Sequence, residues 1–385
     1  MVTIGPRRVF LLTIAAALAC AGISSAAQQP AGAIAERLAR VRADLFAGGA
    51  HLADDIKDLT AILAIEPDSA DAHLLLGMAY RTGGSPDMIP DAKAEFQQAL
   101  DLDPQLVPAR FFLAQIYFDL GRFEKVRDEL TAALARMPAQ PQFLALLGEA
   151  ERQMGHPERS VDLNRQALQA DATFAQARFY LGRALIDLHQ RDAGVRELEA
   201  VVRGGVQAPE VLLTLASAYL DAGKIDEGVQ LLEQATRLAP GDSSARIALA
   251  RAYRMKGAFE QAEQQLTLAE PPDVARQPTR AYQKLVVDLN VERGQVRLQQ
   301  QRLDTAATAL KAAIDMDPSS GAAHRYLAEV LLRQGQYKAS LEHATQAEKL
   351  GVPLPADLRK TLDEKLRGGK VPSSPLPSTS LGAGA

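Results

Sequence analysis

Apolar residues recur along this chain at helical spacing rather than in alternation. In "LASAYLDAGKIDEG" (215–228), Leu215 and Tyr219 lie four apart; beyond Gly223, Val229 and Leu232 resume a three-residue step. Residues three and four apart share one face of a helix, so the stretch predicts two short helices broken at a glycine. Downstream by 34 residues, "LARAYRMKGAFEQA" places Leu249, Ala250, Tyr253 and Gly257 where Leu215, Ala216, Tyr219 and Gly223 stood. The repeated segment carries no reactive group. What repeats is therefore a packing unit.

With Leu215 as position 7 of a 34-residue unit, repeats start near Glu36, Ala70, Val107, Pro141, Ala175, Pro209, Ser243, Val287 and Gly321. Position 8 is Ala43, Gly77, Ala114, Gly148, Gly182, Ala216, Ala250, Gly294 and Ala328, always Gly or Ala. Position 27 is Ala in seven repeats: Ala99, Ala133, Ala167, Ala235, Ala269, Ala313 and Ala347. A central glycine (Gly121, Gly155, Gly223, Gly257, Gly335) splits the unit, and Pro67, Pro104, Pro138, Pro240 and Pro318 close five of them. The pattern predicts an antiparallel helix pair whose backbones cross where only a small side chain fits. Glycine with positive φ ends the first helix, and proline stops the second. One such pair cannot bury its apolar face alone; stacked on its neighbours it can.

These residues resemble the tetratricopeptide repeat, whose pattern has Leu-Gly and then Tyr in the first helix, Ala and an aromatic in the second, and a terminal Pro. Ala70–Pro104 carries it best, with Leu76, Gly77, Tyr80, Ala92, Phe96, Ala99 and Pro104. The likeness runs over residues 36–352. It implies an all-α, right-handed superhelical solenoid of about nine antiparallel helix pairs, and a module that binds other molecules rather than transforming them.

Several stretches depart from the pattern. The repeat at Ala175 has Leu185, His189 and Val206 where Tyr, turn Gly and Pro are expected. The first repeat is degenerate and reads as an N-terminal cap. "YRTGGSPDMIPDA" holds three extra residues and is expected to protrude as a loop. Repeats 1–7 are assigned to 36–269, a Pro-rich linker to 270–278, and repeats 8–9 to 279–352. The linker is a place where the array could kink, and the first helix after it is expected to begin near Thr279 and run long. Residues 353–367 read as a capping helix, and the Gly/Ser/Pro-rich 368–385 as a disordered tail.

The first 27 residues contain no acidic residue. Arg7 and Arg8 precede the apolar run "VFLLTIAAALACAG", and Ser25 and Ala27 fit small-residue cleavage before Gln28. This reads as a signal peptide (1–27) followed by a short linker (28–35), with an apolar run too short to span a membrane. Cys20, the single cysteine, ends "ALAC", which looks like a bacterial lipobox with its Leu one place too near; Cys20 is thus a candidate for lipidation. The formal net charge of −4 and a pI of about 5.9 argue against a nucleic-acid footprint.

Candidate chemistry is sparse. His51, His73, His156, His189, His324 and His343 never stand at metal-ligand spacing, and phosphate-binding and nucleophile-elbow glycine patterns are missing. The acidic pairs Asp54-Asp55 and Asp226-Glu227 read as helix-start residues that favour the dipole. The repeats fill the chain, so no catalytic, cofactor-binding or metal residue is assigned and a non-enzymatic protein is expected.

The resemblance instead implies a concave face lined by first-helix positions 5, 9 and 12. Here these give Leu74, Met78, Phe111, Gln115, Phe118, Phe179, Arg183, Ile186, Leu213, Leu220, Ile247, Arg251 and Arg254. Phe111, Phe118 and Phe179 are either exposed anchors for a partner or packing against the next repeat. Leu74, Met78 and Phe111 occupy the places of the family's carboxylate clamp, so that ligand mode is not expected. Position 4 is Arg110, Arg178 and Arg246 in alternate repeats, read as a charged ladder facing acidic residues of neighbouring repeats. The expected function is an exported scaffold, periplasmic or secreted, holding a protein or peptide in its groove. The alternative is an outer-membrane lipoprotein, held through Cys20, that assists assembly or secretion.

Overall fold

The structure is a computed structural model that describes residues 31–271 and 279–367. The stretch read as a signal peptide, Cys20, most of the Pro-rich linker with its expected kink, and the stretch read as a C-terminal tail lie outside the described residues. Within these, regular structure is helical throughout, as nine helix pairs followed by a single helix. The chain divides at Gly204/Gly205 into two compact parts.

The N-terminal part holds α1 (Ala31–Ala47) with α2 (Leu52–Ile65), α3 (Ala70–Thr82) with α4 (Ile89–Leu102), and α5 (Val107–Asp119) with α6 (Phe123–Leu134). It ends with α7 (Pro141–Gln153) and α8 (Pro157–Ala170), then α9 (Ala175–Asp187) and α10 (Arg191–Arg203). The C-terminal part holds α11 (Pro209–Asp221) with α12 (Ile225–Leu238), α13 (Ser243–Lys256) with α14 (Phe259–Leu268), and α15 (Arg280–Gln299) with α16 (Leu303–Met316). The pair α17 (Gly321–Arg333) and α18 (Tyr337–Lys349) and the last helix α19 (Ala356–Arg367) complete it.

The ends of the helices follow from local chemistry. Asp242 accepts from the backbone N–H groups of Ser244 and Ala245 ahead of α13, and Ser69, Ser320 and Thr279 cap α3, α17 and α15 in the same way. At position 15 the backbone turns left-handed in every repeat from the second on: Gly84, Gly121, Gly155, Gly223, Gly257 and Gly335, but also His189 (φ 59°) and Gln301 (φ 58°). Except after Gly84, the following N–H then reaches back to the carbonyl five residues earlier, as from Arg122 to Tyr117 (2.8 Å) and from Gln190 to Leu185 (2.9 Å). This is the Schellman closure of a helix. Its demand is geometric, so the repeat at Ala175 makes the turn without glycine.

Between the two helices of a pair, the small residue at position 8 backs onto the side chain at position 24. A Cβ on Gly77 would stand 2.7 Å from Phe96, one on Gly182 2.9 Å from Leu198, and one on Gly294 2.6 Å from Leu310. The seven position-27 alanines are fully buried. Position 20, which the sequence pattern did not single out, is a second close approach: a Cβ on Gly194 would meet the Gly182 carbonyl oxygen at 2.7 Å. In the last repeat Ser340 stands there and donates to the Ala328 carbonyl (2.7 Å).

Two boundaries differ from the sequence reading. Helix α1 begins at Ala31, inside the stretch assigned to a linker. The insertion "RTGGSPDMIPDA" is folded in: Pro86–Met88 form a 3-10 turn that runs into α4, and Ile89 packs on the core of the first repeats. Prolines at the start of a helix are tolerated because the first turn needs no N–H donor, so Pro86 and Pro90 begin elements here. Helix α15, by contrast, runs long from Arg280 behind its cap Thr279, where the sequence placed its start. After α18, Leu354 and Leu362 are buried against Ala328, Leu332 and Ala344, which closes the open end of the last pair with α19.

Candidate functional site

In each part of the chain a first helix packs on the first helices before and after it, while a second helix packs on its own first helix and on the next one. The first helices therefore line the inner face of each part, where the predicted binding positions lie.

Most apolar residues predicted there are not free. Leu74, Met78, Phe111, Phe179, Leu220 and Ile247 are buried. Phe111 is 5% exposed and sits between Phe112 (centroids 5.9 Å) and Phe143 (4.8 Å), inside the cluster that joins α5 to α6 and α7. Phe179 is 5% exposed, with the Arg183 guanidinium over its ring at 5.4 Å. The anchor reading is therefore corrected for Phe111 and Phe179. A position-5 side chain faces the adjoining first helix, and a ring large enough to bridge the gap is enclosed by it. Phe118 is half-buried, edge-on to Phe123 at 5.5 Å, and Ile186 and Leu213 are also half-buried.

Polar groups at positions 9, 12 and 13 make the accessible part of the face, and they are tied between repeats. Arg81 donates to Gln115 of the next repeat. Glu149, fully buried, accepts from Arg152 (2.9 Å) and Gln153 (2.8 Å) and pairs with Arg183 at 3.4 Å; Arg152 in turn reaches Asp187 at 2.6 Å. Burial works against the Arg152 charge, but Glu149 and Asp187 more than offset it and hold the guanidinium above its ordinary pKa. In the C-terminal part, Arg251 and Arg254 converge on buried Glu292 at 3.4 and 2.5 Å. Arg251 stays 55% exposed, while Arg254 is 10% exposed. Burial and the acceptor Glu233 (2.7 Å) push the Tyr253 hydroxyl up to about 12.

The ladder at position 4 has a different partner from the one expected. Arg110 donates to Glu129 of its own second helix (2.7 Å) and to the Pro104 carbonyl (2.7 Å). Arg178 does the same with Glu197 (2.9 Å) and Ala172 (3.0 Å), and Arg246 with Gln265 (3.2 Å) and Pro240 (2.8 Å). His73 joins Glu95 (2.6 Å) to Pro67 (2.9 Å), and His324 joins His343 (2.9 Å) to Pro318 (3.2 Å). Each is a strut from the preceding turn through helix one to helix two. Where position 4 is Leu144 or Leu212, the facing position is Leu163 or Leu231. The two sites change polarity together in these repeats, and Asn290 opposite Ala309 is the exception.

Sequence reasoning found the face but not its acids. Glu149 and Glu292 gave no signal beyond being charged, since their burial depends on arginines one turn away or in another repeat. Among the described residues no three carboxylate, imidazole or thiol groups converge as metal ligands, and no helix is long and apolar enough to cross a membrane.

A tetratricopeptide-repeat profile matches residues 291–351, and a second profile of the same repeat matches 88–150 and 219–286. The chain is a tetratricopeptide-repeat protein, and stacked helix pairs with matched positions 8, 20 and 27 are the physical content of that statement. Its fold is similar to a chain in the crystal structure of the APC/C hetero-tetramer Cut9–Hcn1, with a TM-score of 0.60 at 14% identity. That match covers 86% of this chain and 63% of the other, so the chain spans less than two thirds of that relative's length. A thermophilic TPR protein of Thermus thermophilus, TTC0263, gives a TM-score of 0.42 at 24% identity, over 48% of this chain and 100% of that one. The pilF structure of Pseudomonas aeruginosa gives 0.47 at 19%, over 58% and 97%. No curated protein matches the sequence. At these identities the structures speak for fold alone.

Proposed function

We propose that this protein is a non-catalytic scaffold, exported by its N-terminal leader, that holds a protein or peptide against the first-helix face. The observation that carries the reading is the set of inter-repeat ties: Glu149 with Arg183, Arg152 with Asp187, and Glu292 with Arg251 and Arg254. They fix charged heads in place before any partner arrives, and preorganised groups bind with less entropic loss. The half-buried Phe118, Ile186 and Leu213 supply apolar contact beside them. One structure it resembles in fold is from a hetero-tetramer of Cut9 and Hcn1, an assembly of protein with protein. A photo-crosslinking residue at 118, 183 or 251 should capture a partner in the native envelope, and one at Arg127 or Glu199 on second helices should not. Equal capture from both faces would end the proposal.

The alternative, an envelope-anchored accessory, rests on Cys20 in "ALAC". Intact mass of the mature chain separates the two, since a diacylated Cys20 and a free Gln28 differ by many CH₂ groups and by the residues between them.

A further inference from the structure

The first repeat is built differently from the rest. Helices α1 and α2 touch along a shorter length than the helices of any later pair, and leave a crevice of about 730 Å³. Asp44 of α1 and Asp54, Asp55 and Asp58 of α2 line it, with Arg40, His51 and Lys57. Three of these acids are accounted for. Asp44 accepts from the His51 backbone N–H (3.1 Å) and meets its Nδ1 at 2.9 Å; Asp58 takes Arg37 (3.0 Å) and Arg40; Asp54 is exposed to water. Asp55 is not. It is 2% exposed, its Oδ2 receives no hydrogen bond, and its carboxyl stands in hydrogen-bond reach only of another acid, Asp44, which it can meet only by sharing a proton. A buried carboxylate oxygen without a donor is unfavourable unless a charge or proton arrives to satisfy it.

We infer that the α1–α2 crevice is a binding site for an organic cation, an alkylammonium or guanidinium group, whose charge and N–H donors complete the carboxylate pair Asp44 and Asp55. Four carboxylates face Arg40 and Lys57, with Arg37 engaged on Asp58, so with His51 neutral the walls carry one excess negative charge once Asp55 is ionised. The donors do not converge as a metal's ligand set, whereas a flat or tetrahedral N–H cluster can span two carboxyl groups. Burial, and next the neighbouring Asp44, push the Asp55 carboxyl up to about 6, with Arg40 and His51 opposing. Asp55 therefore takes up a proton in mild acid, and an arriving cation must displace it. Arg40 and Asp44 on α1, His51 in the turn, and Asp54, Lys57 and Asp58 on α2 are the charged groups that set this balance.

The cation could be a free amine or an arginine side chain of a bound polypeptide. Titration calorimetry on the full chain therefore uses two probes, agmatine and a Gly/Ser peptide with one arginine, at about pH 7.5 and about pH 5. Saturable binding is expected for at least one probe, weaker by about tenfold or more at the lower pH, with the proton returned to buffer in the transition range. Binding of agmatine alone assigns a free cation; binding of the peptide alone assigns a side chain. Asp55→Asn should lose about tenfold or more, while Asp226→Asn, in the first turn of α12, should bind like wild type. If Asp55→Asn fails to fold by thermal melt, Asp44→Asn carries the same expectation from the other side of the pair. No saturable heat with either probe, or undiminished binding in both crevice variants, overturns the inference. Its outcome is independent of the first-helix face.

Discussion

The Nδ1 atoms of His324 and His343 lie 2.9 Å apart, where other repeats with a polar strut join a basic side chain to a carboxylate or amide. His324 Nε2 faces the Pro318 carbonyl and must carry its proton to bond there. Its Nδ1 is then a lone pair, and His343 donates to it. Burial first, and next the neighbouring His324 imidazole, push His343 below its ordinary pKa. The unfolded chain thus binds the proton more readily. The stabilising contribution is complete above about pH 6.5 and is lost as pH falls below that value. Thermal melts from about pH 8 to pH 5 should show this loss, and His343→Glu, which copies the His73–Glu95 pair, should reduce it. Parallel curves for the two proteins would sink the argument.

Gly148→Leu should destabilise the N-terminal part by about 3 kcal/mol, because overpacking a close crossing forces the backbone apart. A Cβ there would stand 2.6 Å from Asn164 Nδ2 and 3.3 Å from the Ser160 carbonyl. Gly204 has φ −72°, so Gly204→Ala meets no left-handed strain and should change stability by less than about 1 kcal/mol. Denaturant unfolding of both variants checks the contrast, and equal midpoints would show that position 8 is not a tight contact.

Asn164 is fully buried; its Nδ2 donates to the Ser160 carbonyl (2.8 Å), but its Oδ1 has no partner. Leu198 and Leu310 hold the same position behind Gly182 and Gly294, so leucine fits behind a position-8 glycine. Asn164→Leu should therefore stabilise the protein, by about 1–3 kcal/mol for removing an unsatisfied buried oxygen. A lower melting temperature would mean that an internal water or the Ser160 contact matters more.

His189 holds φ 59° at a turn where six of the eight repeats from Ala70 on place glycine. A left-handed non-glycine residue costs about 1–2 kcal/mol, partly offset by the entropy glycine loses on folding. His189→Gly should raise stability by about 0.5–1 kcal/mol, read from the urea midpoint. A decrease would show that the imidazole makes a contact worth more than the strain.

The architecture was legible because it is written in steric exclusions. A glycine or alanine at position 8 and an alanine at position 27 recur wherever two backbones meet, and Gly121 or Gly223 marks the turn. Such constraints act locally and repeat with the chain. The first-helix face was only half legible. Position along a helix told which side Phe111 and Phe179 occupy, but their burial depends on how near the next helix comes, as Phe143 shows. Glu292 was missed for the same reason, since its arginines sit 38 and 41 residues away. Asp55 illustrates a third limit. As a first-turn acid it reads as a surface dipole partner, and only the crevice beside α1 shows it enclosed.

The side-chain pair of each strut at position 4 lies within a single repeat, and the strut's only tie to the preceding repeat is to a backbone carbonyl that every repeat supplies. Arg110 and Glu129, or Leu144 and Leu163, are inherited together when 34 residues are copied or excised as a block. Such an event leaves no orphaned charge in the interior, so a gene for this array can lengthen or shorten by whole repeats without stranding an ion. The rows that cross from one repeat to the next behave in the opposite way. Arg152 and Asp187, or Arg254 and Glu292, are separated by a recombination breakpoint at the repeat boundary and must be matched again afterwards. Duplication thus preserves the scaffold while reshuffling the surface that meets a partner, and the two layers of the array can diversify at different rates.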